Sequence, residues 1–177
     1  SVEEVLKDIE KKIRDLDRKV KEALRHSEEV IRRLEEEVKR VLDDSERILR
    51  DLKEKLRDLE DVKRELDRLL EENKRLVDDI RRVLEELERR NRELVDRIRE
   101  VLKRIIEEVE KLVRDGASEE LMRRIVEKVE ELVKELDKRL RESNEDSKRL
   151  VEDLSRRAKK SLEESRELVR ELKKRAK

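Results

Sequence analysis

The chain has 177 residues, 52 of them basic and 52 acidic, for a formal net charge of zero. It contains no Phe, Tyr, Trp, Cys, Pro, Thr or Gln, and a single Gly. These counts rule out disulfide and thiol chemistry, leave no basic footprint for nucleic acid, and nearly exclude a β-rich fold, which needs turn residues and strand alternation.

The remaining alphabet is Leu, Ile, Val, Glu, Lys, Arg and Asp with a few Ser, Ala and Asn, mostly helix formers. A charged fraction of 59% without aromatics would suit a disordered chain, but the apolar residues are too periodic for that. No apolar run is long enough to span a membrane and no signal peptide is visible.

The first predicted helix covers about 1–58. Val2, Val5, Ile9, Ile13, Leu16 and Val20 step by three and four, and the stripe continues through Leu34, Val38, Leu42, Leu49, Leu52 and Leu56. It repeats every eighteen residues, as in Val2, Val20, Val38 and Leu56. Eighteen residues in five turns is the period of a straight helix, so the helices should be nearly untwisted.

The stripe loses phase in RDLEDVK, residues 57–63, and restarts at Val62, Leu66 and Leu69. This predicts a second helix over about 61–115, with Asp61 as its N-cap. The rival is one unbroken helix through residue 115. A second break falls at RDGASEE, residues 114–120. There Gly116 suits a C′ position, Ser118 an N-cap, and Glu119 and Glu120 a first turn. The third helix, about 118–177, carries Leu132, Leu150 and Leu168.

Polar residues interrupt the stripe at regular places. Ser27, in RHSEEV, and Ser45 stand where Ile or Leu belongs; Asn73 and Asn91 do so on the second helix. In an antiparallel hairpin, residues at one height have a constant sum of numbers. Ser27 with Asn91 and Ser45 with Asn73 both give 118; Asn91 with Ser143 and Asn73 with Ser161 both give 234. The expected layers are Ser27, Asn91 and Ser143, with Ser147 one turn along and Asn144 flanking, and Ser45, Asn73 and Ser161, with Ser165 one turn along. An end layer of Ile9, Val109, Ile125 and Val129 is wholly apolar. An unbroken helix to residue 115 explains none of this matching within one chain.

The fold expected is therefore an all-α, single-chain antiparallel three-helix bundle forming one domain over 1–177. Helices of about 57 residues would be roughly 85 Å long at 1.5 Å per residue. Small polar residues in such a core can hydrogen-bond one another and set register, since a slip of one repeat leaves the apolar stripe intact. As ligands they are weak and neutral, and no carboxylate shares the stripe nearby, so no metal and no cofactor is expected. His26 lies about 100° round the helix from Ser27, which diverges from it, so no nucleophile–base pair forms there. No enzymatic activity and no drug-sized pocket are expected. Met122 reads as core filler, and the terminal KKRAK as cations at a helix C-terminus.

The Val2/Val20/Val38, Leu66/Leu84/Leu102 and Leu132/Leu150/Leu168 tracks, the paired layers and the DGASEE loop together make the whole chain resemble de novo designed helical bundles built from ideal helix equations. The likeness is to the untwisted three-helix class with an eighteen-residue repeat. The Gly-free first turn departs from usual design practice. The resemblance implies a synthetic, hyperstable, monomeric scaffold, soluble in the cytoplasm of a producing cell, with no natural function and no partner, nucleic acid or membrane. The alternative is a coiled-coil assembly module. If the first turn opened, a helix of about 115 residues, roughly 170 Å long, would hide its stripe only in a swapped dimer or filament.

Overall fold

A computed structural model of the chain describes residues 1–175. Among them three helices pack together as an all-α bundle: α1, Val2–Lys55; α2, Glu60–Arg114; and α3, Glu119–Arg175. The last two residues, and with them the end of KKRAK and of the expected third helix, lie outside the described residues.

The helix ends carry the charges that suit them. Acidic Glu3 and Glu4, Glu60 and Asp61, and Glu119 and Glu120 occupy the three first turns. Lys53 and Lys55 close α1, and Lys111 and Arg114 close α2. Both ends of a helix dipole are so complemented, each by a few tenths of a kcal/mol to about 1 kcal/mol. Ser1 caps α1: its Oγ accepts from the Glu4 N–H at 3.3 Å and its carbonyl from that of Val5 at 3.2 Å.

The chain divides into two compact units. One joins Ser1–Glu28 to Glu88–Ser147; the other joins Glu29–Leu87 to the chain from Lys148 on. In the first unit all three helices feed one core: Ile9, Ile13, Leu16 and Val20 from α1, Val95, Ile98, Leu102 and Val109 from α2, and Met122, Val129, Leu136 and Leu140 from α3. Ile9, Val109 and Val129 of the expected apolar end layer are buried, and Ile125 is half-buried against them. Met122 is fully buried, as its place in the repeat suggested.

In the second unit the core is two clusters. One is built on Ile31, Leu34, Val38, Leu42, Ile80, Leu84 and Leu154; the other on Leu49, Leu52, Val62, Leu66, Val169 and Leu172. Between them along each helix sit Ser45, Asn73 and the pair Ser161 and Ser165. Leu66, Leu84 and Leu172 have no exposed surface. Burying side chains of this size contributes about 1.5–3 kcal/mol each.

The two junctions are built differently. At the second, Gly116 has φ of +84°, its N–H donates to Val113 O at 3.1 Å, and Ala117 N–H reaches back to Leu112 O at 3.0 Å. That pair of bonds is a Schellman motif, with Gly at the left-handed C′ position. Ser118 then caps α3, its Oγ accepting from the Leu121 N–H at 3.2 Å. At the first junction α1 ends at Lys55, three residues before the expected boundary. A tight turn over 56–59 follows, with Leu59 N–H bonded to Leu56 O at 3.0 Å. No residue but Gly116 has positive φ among those described, so this turn needs no glycine.

Asp61 is not the N-cap. Leu59 holds that position, its carbonyl accepting from Lys63 N–H at 3.0 Å, and Asp61 lies within the first turn. The apolar phase decides the start: Val62 and Leu66 must reach the core, and a helix beginning at Glu60 puts them there. A carboxylate inside the first turn still faces the positive end of the dipole.

At Gly116 a Cβ would meet nothing within 4 Å, so the constraint there is backbone conformation alone. Gly116→Ala should cost about 1–2 kcal/mol through the left-handed φ, read from guanidinium unfolding with an unchanged m value.

Candidate functional site

The polar layers are the strongest departures from an apolar core. Ser45, Asn73, Asn91, Ser147 and Ser165 are buried, at 1%, 4%, 8%, 7% and 3% exposure. Ser27, Ser143 and Ser161 are half-buried, and Asn144 is exposed. Each layer lies within one unit and draws on all three helices.

In the first unit Asn91 Nδ2 donates to Ser27 Oγ at 2.7 Å, joining α2 to α1. Ser147 Oγ donates to Asn91 Oδ1 at 3.4 Å, joining α3 to α2. In the second, Asn73 Nδ2 donates to Ser45 Oγ at 2.9 Å, and Ser161 Oγ donates to Asn73 Oδ1 at 2.9 Å. Each carboxamide thus acts as a two-way bridge, donor to one neighbouring helix and acceptor from the other. Asn is suited to this because its amide carries both functions on one short side chain.

The pairs whose numbers sum to 118 are brought together on the α1–α2 side in both units. On the α3 side the layers differ from each other. Asn73 meets Ser161 as the constant sum requires, but Asn91 bonds to Ser147 and not to Ser143. Ser165, one turn beyond Ser161, has a buried hydroxyl with no hydrogen-bond partner. No sequence signal separates these cases, since Ser143 and Ser161 occupy equivalent places in the repeat, as do Ser147 and Ser165.

The arrangement offers hydrogen-bonding groups without charge, and no acid, base or strong nucleophile. His26 is exposed on the surface of α1. Among the described residues no cluster of three or more His, Asp or Glu could hold a metal, and no helix is long and apolar enough to cross a membrane.

A groove of about 500 Å³ runs between α1 and α2 in the first unit, floored by Ile13, Leu102 and Ile106 and rimmed by charges. A second, of about 380 Å³, in the other unit reaches Leu42, Leu70, Val77 and Asn73. Rim charges pair with one another: Arg99 with Asp17 at 3.1 Å in the first groove, Arg50 with Glu46 in the second.

Most ion pairs are exposed and span one turn of a single helix, such as Arg92–Glu88 at 2.9 Å and Arg139–Glu135 at 3.1 Å. These add a few tenths of a kcal/mol at most. Pairs between helices are fewer, and besides Arg99–Asp17 they include Arg92–Glu28 at 3.2 Å and Lys12–Glu130 in the first unit, and Lys53–Asp67 and Lys159–Glu37 in the second. Lys12 is held above its ordinary value of 10.5, chiefly because Glu130 accepts a hydrogen bond from it, with Asp8 adding to the effect. Arg123, one turn on, is the main cause that holds Glu119 below the usual carboxylate range.

Because the Lys12 value is raised in the folded state, its contribution is complete below pH 10.5 and lost as pH climbs through the higher folded value. Stability should therefore decline in that alkaline window, and Lys12→Met should make the decline shallower in denaturant titrations. In the buried layer, Ser45→Ala strands an amide N–H of Asn73 and should cost about 1–3 kcal/mol by urea unfolding. Ser165→Ala removes a buried hydroxyl that lacks a partner in this arrangement, relieving its desolvation cost, and should therefore not lower stability in the same urea titration. Compared with protein families, with characterised proteins and with solved structures, the chain finds no match.

Proposed function

We propose that this protein is a structural scaffold of designed origin, without catalytic activity, whose Ser/Asn layers select one pairing of its helices. The observation that carries the reading is the pair of equivalent bridges, Asn91 to Ser27 and Asn73 to Ser45, placed eighteen residues apart on both helices. An eighteen-residue repeat makes the apolar stripe indifferent to a slip of one repeat. A slip would set an Asn against an apolar layer and leave its amide unpaired, at a cost of about 1–3 kcal/mol. The polar layers supply the discrimination that Leu, Ile and Val lack.

Support for a designed origin comes from the narrow alphabet, the strict repeat and the agreement of caps, dipole charges and core pattern at every level. Support for the absence of catalysis comes from layers that offer only neutral Ser and Asn groups, most of them bonded to one another. The scaffold reading includes a monomer with no partner and unusual thermal stability.

Light scattering on an absolute scale should give a mass near 21.6 kDa, and the far-UV helix signal should persist at about 90 °C. Twice that mass would place the chain among assembly modules, with α1 and α2 drawn from different copies. Replacing Asn73 and Asn91 together with Leu should release the register, so that spin labels on α1 and α2 report more than one distance where the parent reports one. A single unchanged distance in that variant, at monomer mass, means that the layers do not set the pairing.

A further inference from the structure

The bond pattern on α3 is inverted between the two layers, and the inversion has a physical consequence. In the first unit the bonded serine is the buried one, Ser147, and the half-buried Ser143 is left for solvent to satisfy. In the second unit the half-buried Ser161 holds Asn73 Oδ1, while Ser165, at 3% exposure, has no partner. A buried hydroxyl without a partner is the costlier one to leave, because water cannot replace what it lacks.

We propose that Ser165 is a second hydrogen-bond partner of Asn73, and that the carboxamide oxygen alternates between Ser161 and Ser165. The two serines are four residues apart on one helix, so their side chains are neighbours on the same face. The terminal torsion of Asn is broad, so the planar carboxamide can turn slightly as one piece, carrying Oδ1 from one hydroxyl toward the other while Nδ2 shifts within reach of Ser45 Oγ. The state bonded to Ser165 satisfies the buried hydroxyl and releases Ser161, which reaches water. That is the arrangement the first unit already shows with Ser147 and Ser143. The α1–α2 bridge has a single partner, Ser45, and does not alternate.

The inference rests on the reading of these layers as built hydrogen-bonded elements, but it concerns which serine Asn73 uses, not which layers meet. A double-mutant cycle on the intact chain tests it. Ser161→Ala alone should lower the folding equilibrium constant by less than roughly threefold, because Asn73 moves to Ser165. Ser165→Ala alone should change it little. The S161A/S165A double variant should lower it by roughly tenfold, well beyond the product of the single effects. In the parent, the Asn73 side-chain amide resonance should show exchange broadening that disappears in S165A and in S161A. A Ser161→Ala cost equal to that of the double variant would overturn the proposal, as would an Asn73 amide resonance untouched by S165A. A failure of the register reading alone would appear in the Asn→Leu variants and leave the cycle unchanged.

Discussion

Hiding a broad apolar stripe on each of three long helices is the constraint from which the rest of this structure follows. The stripe on α1 runs from Ile9 through Leu52 without losing phase, because eighteen residues make a whole number of turns. It is wider than the seam of a two-stranded coiled coil, since half-buried Leu6, Ala23 and Leu24 flank the fully buried positions. A single neighbouring helix would leave one flank wet; two neighbours cover both. Short junctions suffice because each helix need only fold back on the last. The phase breaks then fall where the chain reverses, at 56–59 and at 115–118.

A core of that kind is strong but poor at choosing between similar arrangements. Leu, Ile and Val make contacts of similar worth with one another, so the layers that stay in overlap after a slip of one repeat are not told apart by their apolar contacts. The carboxamides of Asn73 and Asn91 are demanding in a way that no aliphatic side chain is. Each has a donor and an acceptor to satisfy, and each finds one partner on either neighbouring helix. In the second unit the layer separates two apolar clusters, so the polar groups are enclosed on both sides along the helices. Enclosure raises the penalty for mispairing, which gives a weak net bond its power to discriminate.

The charges outside do a different job. Acidic and basic residues alternate and pair mostly within one turn of the same helix, where screening keeps each pair's contribution small. The few pairs between helices, such as Lys12–Glu130, join half-exposed side chains of different helices. Exposed leucines, Leu59, Leu112 and Leu121, stand near the junctions.

Three helices, their antiparallel order and the apolar core, Met122 included, are legible in the residues alone, because helical periodicity is a local property that a one-dimensional pattern carries in full. The constant sums also locate the polar layers and pair Ser27 with Asn91 and Ser45 with Asn73, since two rigid helices joined by a short turn have one height relation. The Schellman turn at Gly116 is legible for a similar reason: only glycine takes that φ without strain. What lies beyond the pattern is whatever depends on less than a helical turn. The start of α2 at Glu60, one residue before Asp61, follows from the angle at which Val62 and Leu66 enter the core. The choice of Ser147 over Ser143, and the unpaired hydroxyl of Ser165, are settled only where α3 packs against α2. Serines four apart share a face and are alike in sequence; which one reaches the amide depends on hydrogen-bond distances that only the packed helices set.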